Sequence, residues 1–174
     1  EFTQLFVLFK NPILGILAGA ILTGIIQSSS ASVGILQALC VTGQVTVGAA
    51  FPIILGQHIG TCVTALLSSM GANKNAKRAA MIHFNFNVFG SIILMLLFYG
   101  ADLIFKFTFV DKSASAVDIA IIHTACSLIE TAIFLPISKV LEKISIMMIR
   151  DSGTEEEDEV ALLDERLFIN PAVA

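Results

Sequence analysis

The chain has 174 residues, 56% of them hydrophobic and only 14% charged, with a formal net charge of −4 and a mean hydropathy of +0.87. A soluble globular domain of ordinary composition is far less apolar, so that class is excluded and the chain reads as an all-α membrane protein. Much of the negative charge lies in one run, Thr154 to Glu159, a solvated linker that suggests no nucleic-acid partner.

The sequence opens at Glu1 without a basic region, short apolar core and cleavage site ahead of the first apolar stretch, so no signal peptide is expected and the chain reads as a piece of something longer. From Pro12 to Val41 it is apolar for about 30 residues, which as one helix would measure roughly 45 Å, too long for one upright span and too short for two. Its middle is QSSS, Gln27 to Ser30. The spacing predicts a re-entrant helical hairpin over residues 12–42, with limbs at Ile13 to Ile26 and Ala31 to Val41 and a tip near the bilayer midplane. Broken backbone at that depth is tolerated only against protein or a water-filled cavity. Gly15, Gly19 and Thr23 recur every four residues on the first limb, and Ser30, Gly34 and Ala38 do so on the second, which predicts that the limbs pack on each other.

The next segment, Val45 to Leu67, is long enough to span, but GQHIGT at Gly56 to Thr61 falls at its middle. Two glycines together with the polar side chains Gln57, His58 and Thr61 predict a discontinuous helix whose break meets the hairpin tip. A third span is expected from Ala76 to Gly100, with His83, Asn87 and Ser91 on one face. A fourth is expected from Ala116 to Ser138, with His123, Ser127 and Thr131 at the same period and Glu130 beside them. A carboxylate at a helix centre costs about 2.5 to 3.5 kcal/mol on insertion scales, so both polar stripes should face protein. The aromatic residues from Phe98 to Phe109 read as an interfacial belt. Cys40, Cys62 and Cys126 lie far apart without ligand spacing and read as packing residues, with no disulfide or metal site expected.

Basic residues follow the second span at Lys74, Lys77 and Arg78 and the fourth at Lys139, Lys143 and Arg150, which favours the cytoplasm for both ends and entry of the hairpin from outside. Residues 1–150 are thus expected to form a membrane domain, and residues 151–174 an acidic linker and the start of a truncated cytoplasmic helical domain. Hydroxyls and freed carbonyls at a midplane break suit sodium, and half-helix N-termini suit an anion. On the residues alone, the chain reads as part of a sodium-coupled transporter of a small anion.

GILAGAILTGIIQSSSASVGIL, then ILGQHIGTCVTALLSSMGA, then AKRAAMIHFNFNVFG, in that order from Pro12 to about Pro136, closely resembles the second repeat of the sodium/phosphate cotransporter family, the bacterial relatives of the animal type II carriers. The resemblance implies half of an inverted-repeat carrier in the cytoplasmic membrane, not an enzyme. It implies symport of inorganic phosphate with sodium as the coupling ion and no other cofactor, and a partner in the first repeat of the full-length carrier. By position it places Gln27, Ser28, Ser29, Ser30, Gln57, Gly60, Thr61 and Thr64 at the substrate and sodium site, with sodium held by Ser28, Ser29, Ser30 and Thr61. His83, Asn87, His123 and Glu130 would be supporting polar residues. His58 and Ser127 depart from the family pattern, each standing where asparagine is usual. The tail VALLDERLFINPAVA is similar to the segment leading into a PhoU-like domain. Three competing readings are a serine hydrolase built on Ser28 to Ser30 with His83 or His123 and Glu130, a phosphate sensor, and a carrier of another tetrahedral oxyanion. The first has no nucleophile-elbow motif behind it.

Overall fold

The computed structural model describes residues 11–150, which form six α-helices: α1 (Pro12–Ile26), α2 (Ser29–Cys40), α3 (Val47–Ser69), α4 (Lys74–Phe105), α5 (Ala116–Phe134) and α6 (Ser138–Met148). The acidic run and the PhoU-linker-like tail lie outside the described residues. Three helices, α3, α4 and α5, are long and apolar enough to cross a membrane. α1 and α2, at 15 and 12 residues, measure about 22 and 18 Å and fall short of a hydrocarbon core of about 30 Å.

The side chain of Asn11 accepts from the N–H of Ile13, and Pro12 sits in the first turn, where its missing N–H costs nothing. α1 stops where Gln27 turns left-handed, φ 55° and ψ 26°. The expected four-residue break is therefore only two residues long, Gln27 and Ser28, and Ser29 and Ser30 already belong to α2.

α3 is the central element. Gly15 of α1 lies against Pro52, Gly19 against Ile53 and Gln57, and Gly24 against Gly60 and Val63, so α1 runs parallel to α3. Ser32 of α2 meets Gln57, whereas Leu36 and Cys40 share a core with Val45, Ala50, Ile53 and Ile54, so α2 runs the other way. α1 and α2 are thus antiparallel, a helical hairpin. Its tip reaches the level of Thr61 to Thr64, roughly two-thirds of the way along α3.

Two expectations are corrected. α3 is not discontinuous: it runs unbroken through Gly56 to Thr61. The two glycines serve close packing instead, since a Cβ at Gly56 would run into the backbone of Ile16 and Ala20, and one at Gly60 into the carbonyl of Ala20. The limbs of the hairpin also do not pack through both small stripes. Gly15, Gly19 and Thr23 face α3, while Ser30, Gly34 and Ala38 are exposed and the buried face of α2 is Ser32, Leu36 and Cys40.

At the mouth of the hairpin, residues 41–48 are pinned to the α4–α5 loop. Val47 and Gly48 N–H groups, which have no partner inside α3, donate to the carbonyls of Lys112 and Val110 at 3.0 and 2.9 Å, and Ala114 N–H donates to Val45 at 2.8 Å. Beside them Phe98 stacks on Phe51 with ring centroids 4.1 Å apart, and Phe98, Phe107 and Phe109 line an apolar cavity of about 370 Å³. Part of the aromatic cluster thus packs inward rather than forming a belt. At the other end Arg78 donates through Nε and Nη2 to the carbonyl of Ile149, and Ser145 Oγ donates to the carbonyl of Arg78 at 2.7 Å. The two basic segments therefore share one end of the bundle. α5 stops at Phe134, two residues before Pro136, which cannot continue a helix. The three cysteines are buried and free.

Candidate functional site

The hairpin tip is built by one strained residue and one cap. Gln27 closes α1 by donating its N–H to Thr23 at 2.7 Å, and its left-handed backbone, unusual for a residue with a Cβ, reverses the chain. Ser28 is extended, φ −140° and ψ 107°, and its Oγ accepts from the N–H of Ala31 at 3.3 Å while lying 3.3 Å from Ser30 Oγ. The first turn of α2 consequently presents three hydroxyls beside the positive end of a helix dipole. Gln27 and Ser30 are exposed, and Ser28 and Ser29 are half-buried.

Beneath the tip, Thr23 Oγ1 donates to Ser32 Oγ at 2.7 Å, joining the limbs, and Gln57 Nε2 donates to the Ser32 carbonyl at 3.1 Å, joining the hairpin to α3. All three residues are fully buried. Gln57 thereby acts as a tie under the tip, and its Oε1 has no hydrogen-bond partner among the described residues. Thr23 and Ser32 were not singled out from the sequence as polar ties. A signal was present, since two hydroxyls equidistant from the break face each other in any tight hairpin.

Thr61 and Thr64 stand on α3 at the level of the tip. Thr61 Oγ1 donates to the carbonyl of Gln57 at 2.8 Å, and Thr64 is exposed. Gly60 contributes closeness rather than a contact surface, seating Ala20 and Thr23.

The remaining predicted residues gather on the opposite side of α3. Asn87 Nδ2 donates to the carbonyl of His83 at 2.9 Å, and Cys62 Sγ approaches that carbonyl at 3.6 Å. His123 meets His58 edge to face with centroids 4.9 Å apart, and Glu130 Oε2 lies 3.2 Å from His58 Nδ1. Gly90 makes room for that carboxylate: a Cβ there would stand 2.8 Å from Glu130 Cδ. Asn87, Ser91 and Glu130 are buried against protein, but His83 and His123 are half-buried and Thr131 is exposed, so the α5 stripe faces protein only in part. Glu130 and His123 meet His58 rather than joining Gln27 to Ser30. No group of three or more His, Cys, Asp and Glu side chains suited to holding a metal ion occurs among the described residues.

Residues 3–133 match the family model described as Na+/Pi-cotransporter. The chain is 40% identical over 84 residues to human sodium-dependent phosphate transport protein 2B, covering 46% of this chain and 12% of that protein. It is 38% identical over 88 residues to human sodium-dependent phosphate transport protein 2C, covering 48% and 15%. It is also 38% identical over 80 residues to the uncharacterized protein YqeW of Bacillus subtilis (strain 168), covering 46% and 26%. The matched stretches span about a quarter or less of these relatives. No solved structure matches the chain.

Proposed function

Because the chain belongs to the Na+/Pi-cotransporter family, a family of multi-pass membrane transporters and not of enzymes, we propose that it is one repeat of a sodium-coupled carrier of inorganic phosphate. The observation that carries the reading is the hairpin tip. Two apolar helices, each too short to cross, meet at Gln27 and Ser28 well inside the length of a spanning helix, with Gln27 and Ser30 exposed there and Ser28 and Ser29 half-buried. This geometry fits a re-entrant hairpin whose broken backbone faces a site rather than lipid.

The exposed hydroxyls and the first N–H groups of α2 supply the two kinds of partner that symport requires. The N-terminus of α2 favours a phosphate oxygen, and Ser28, Ser29, Ser30 and Thr61 oxygens favour sodium. Bound together, the opposite charges offset each other where water is scarce, so each ion raises the affinity for the other. That reciprocity is the coupling. Half of the tip is open in this chain, as is the stripe of Ser30, Gly34 and Ala38, which suits completion of the site by the other repeat of an inverted pair. With both basic segments on the cytoplasmic side, the hairpin enters from outside.

The test is sodium-dependent phosphate uptake by the full-length protein carrying Ser29→Ala or Thr61→Ala. Both variants are expected to lower uptake at unchanged membrane expression. Undiminished uptake in both would place the site elsewhere.

A further inference from the structure

Glu130 and His58 are 1% and 7% exposed, His58 midway along α3 and Glu130 near the C-terminal end of α5. His58 Nδ1 and Glu130 Oε2 are 3.2 Å apart, but the ring is not aligned for a hydrogen bond, and both ring nitrogens and Glu130 Oε1 have no hydrogen-bond partner among the described residues. Burial without partners is costly for any polar group and most costly for a charge. Neither α3 nor α5 contains a lysine or arginine, and α4 has none after Arg78.

The titratable groups around the pair are few. His123 and Cys126 face it from α5 and Cys62 from α3, each within electrostatic reach of Glu130. α4 contributes Gly90 and Asn87, and its His83 lines a separate cavity with Thr131 and Phe134. A neutral imidazole beside a carboxylate carries one negative charge. One added proton makes the pair neutral, as an ion pair or as a carboxylic acid beside a neutral ring, and a second makes it positive.

We propose that His58 and Glu130 form a proton-binding site, separate from the hairpin tip, whose occupancy sets how tightly α5 holds α3. Gln57 and Thr61 stand on the same helix as His58, so a change in the α3–α5 contact is passed to the residues under the tip. The transport readout of this proposal rests on the sodium–phosphate reading; the spectroscopic readout does not.

The experiment takes the full-length protein in proteoliposomes. Infrared difference spectra between acidic and alkaline buffer are expected to show one interior carboxyl or imidazole titration that is lost in both Glu130→Gln and His58→Asn. Sodium-driven phosphate uptake is measured in parallel from about pH 6 to about pH 8, a window that spans ordinary histidine titration. Glu130→Gln cannot exchange the proton, so its uptake relative to wild type is expected to change about threefold or more across that window, a ratio in which the titration of phosphate itself cancels. A constant ratio with no interior titration would reduce the pair to a structural contact. If Glu130→Gln does not fold, the wild-type spectrum decides, and a spectrum without an interior titration overturns the proposal. If the wild type takes up no phosphate, the transport reading fails while the spectra still decide the proton site.

Discussion

Replacing Gly56 by alanine tests the seam that holds the hairpin in place. The added Cβ would lie 2.8 Å from the Ile16 carbonyl carbon and 2.9 Å from the Ala20 nitrogen, and closer still to the Ile16 oxygen. Ordinary contact begins near 3.4 Å, and all three atoms are backbone, so no rotamer change relieves the clash. Relieving the Ile16 carbonyl carbon alone takes 0.6 Å, and the nearer oxygen requires α1 to move further than that from α3. Overpacking of this kind costs about 1 to 3 kcal/mol. Displacement also strains the buried Thr23–Ser32 and Gln57–Ser32 hydrogen bonds, each with a net contribution of about 1 kcal/mol. A loss of about 2 to 4 kcal/mol is therefore expected, against which Gly100→Ala serves as the control. Gly100 has nothing within 4 Å of its would-be Cβ, and alanine there should be neutral or stabilising by up to about 1 kcal/mol. Thermal unfolding of the purified protein in detergent reads both, at roughly 2 to 4 °C per kcal/mol. Equal melting temperatures for Gly56→Ala and wild type would refute the close-packed seam.

Gln27→Gly removes the amide but suits the left-handed turn, so the protein should keep its melting temperature and lose phosphate uptake, whereas Gln27→Val should lower the melting temperature as well. Ser28→Ala deletes the cap of α2 and should cost about 0.5 to 2 kcal/mol, seen as faster amide exchange at Ala31. Arg78→Leu removes two donors to Ile149, and amide exchange should quicken over residues 138–149 while α1 and α2 stay protected.

Much of this arrangement is legible in the sequence because lipid imposes a ruler. An apolar stretch of Pro12 to Val41 with polar residues at its middle has few solutions, and the structure has two short antiparallel helices there, broken at Gln27 and Ser28. The continuity of α3 is not legible in the same way. A glycine pair can break a helix or seat a neighbour, and only the position of Ile16 and Ala20 against Gly56 and Gly60 decides between these. The same holds for Ser30, Gly34 and Ala38, whose period signals close approach without saying to what. Glu130 announces a protein neighbour by its cost in a span, but that His58 is that neighbour depends on the rotation of α3 about its axis, which the hairpin on its other side fixes. The resemblance read in the sequence implies Gln57 at the site, whereas its geometry makes it a tie beneath the tip.

The central claim is that the full-length protein couples phosphate to sodium. Radiolabelled phosphate is followed into proteoliposomes under an imposed sodium gradient and under a matched potassium gradient. The account predicts accumulation above equilibrium with sodium and none with potassium. Folded, inserted protein that binds phosphate but accumulates none under either gradient would contradict it and favour a sensor.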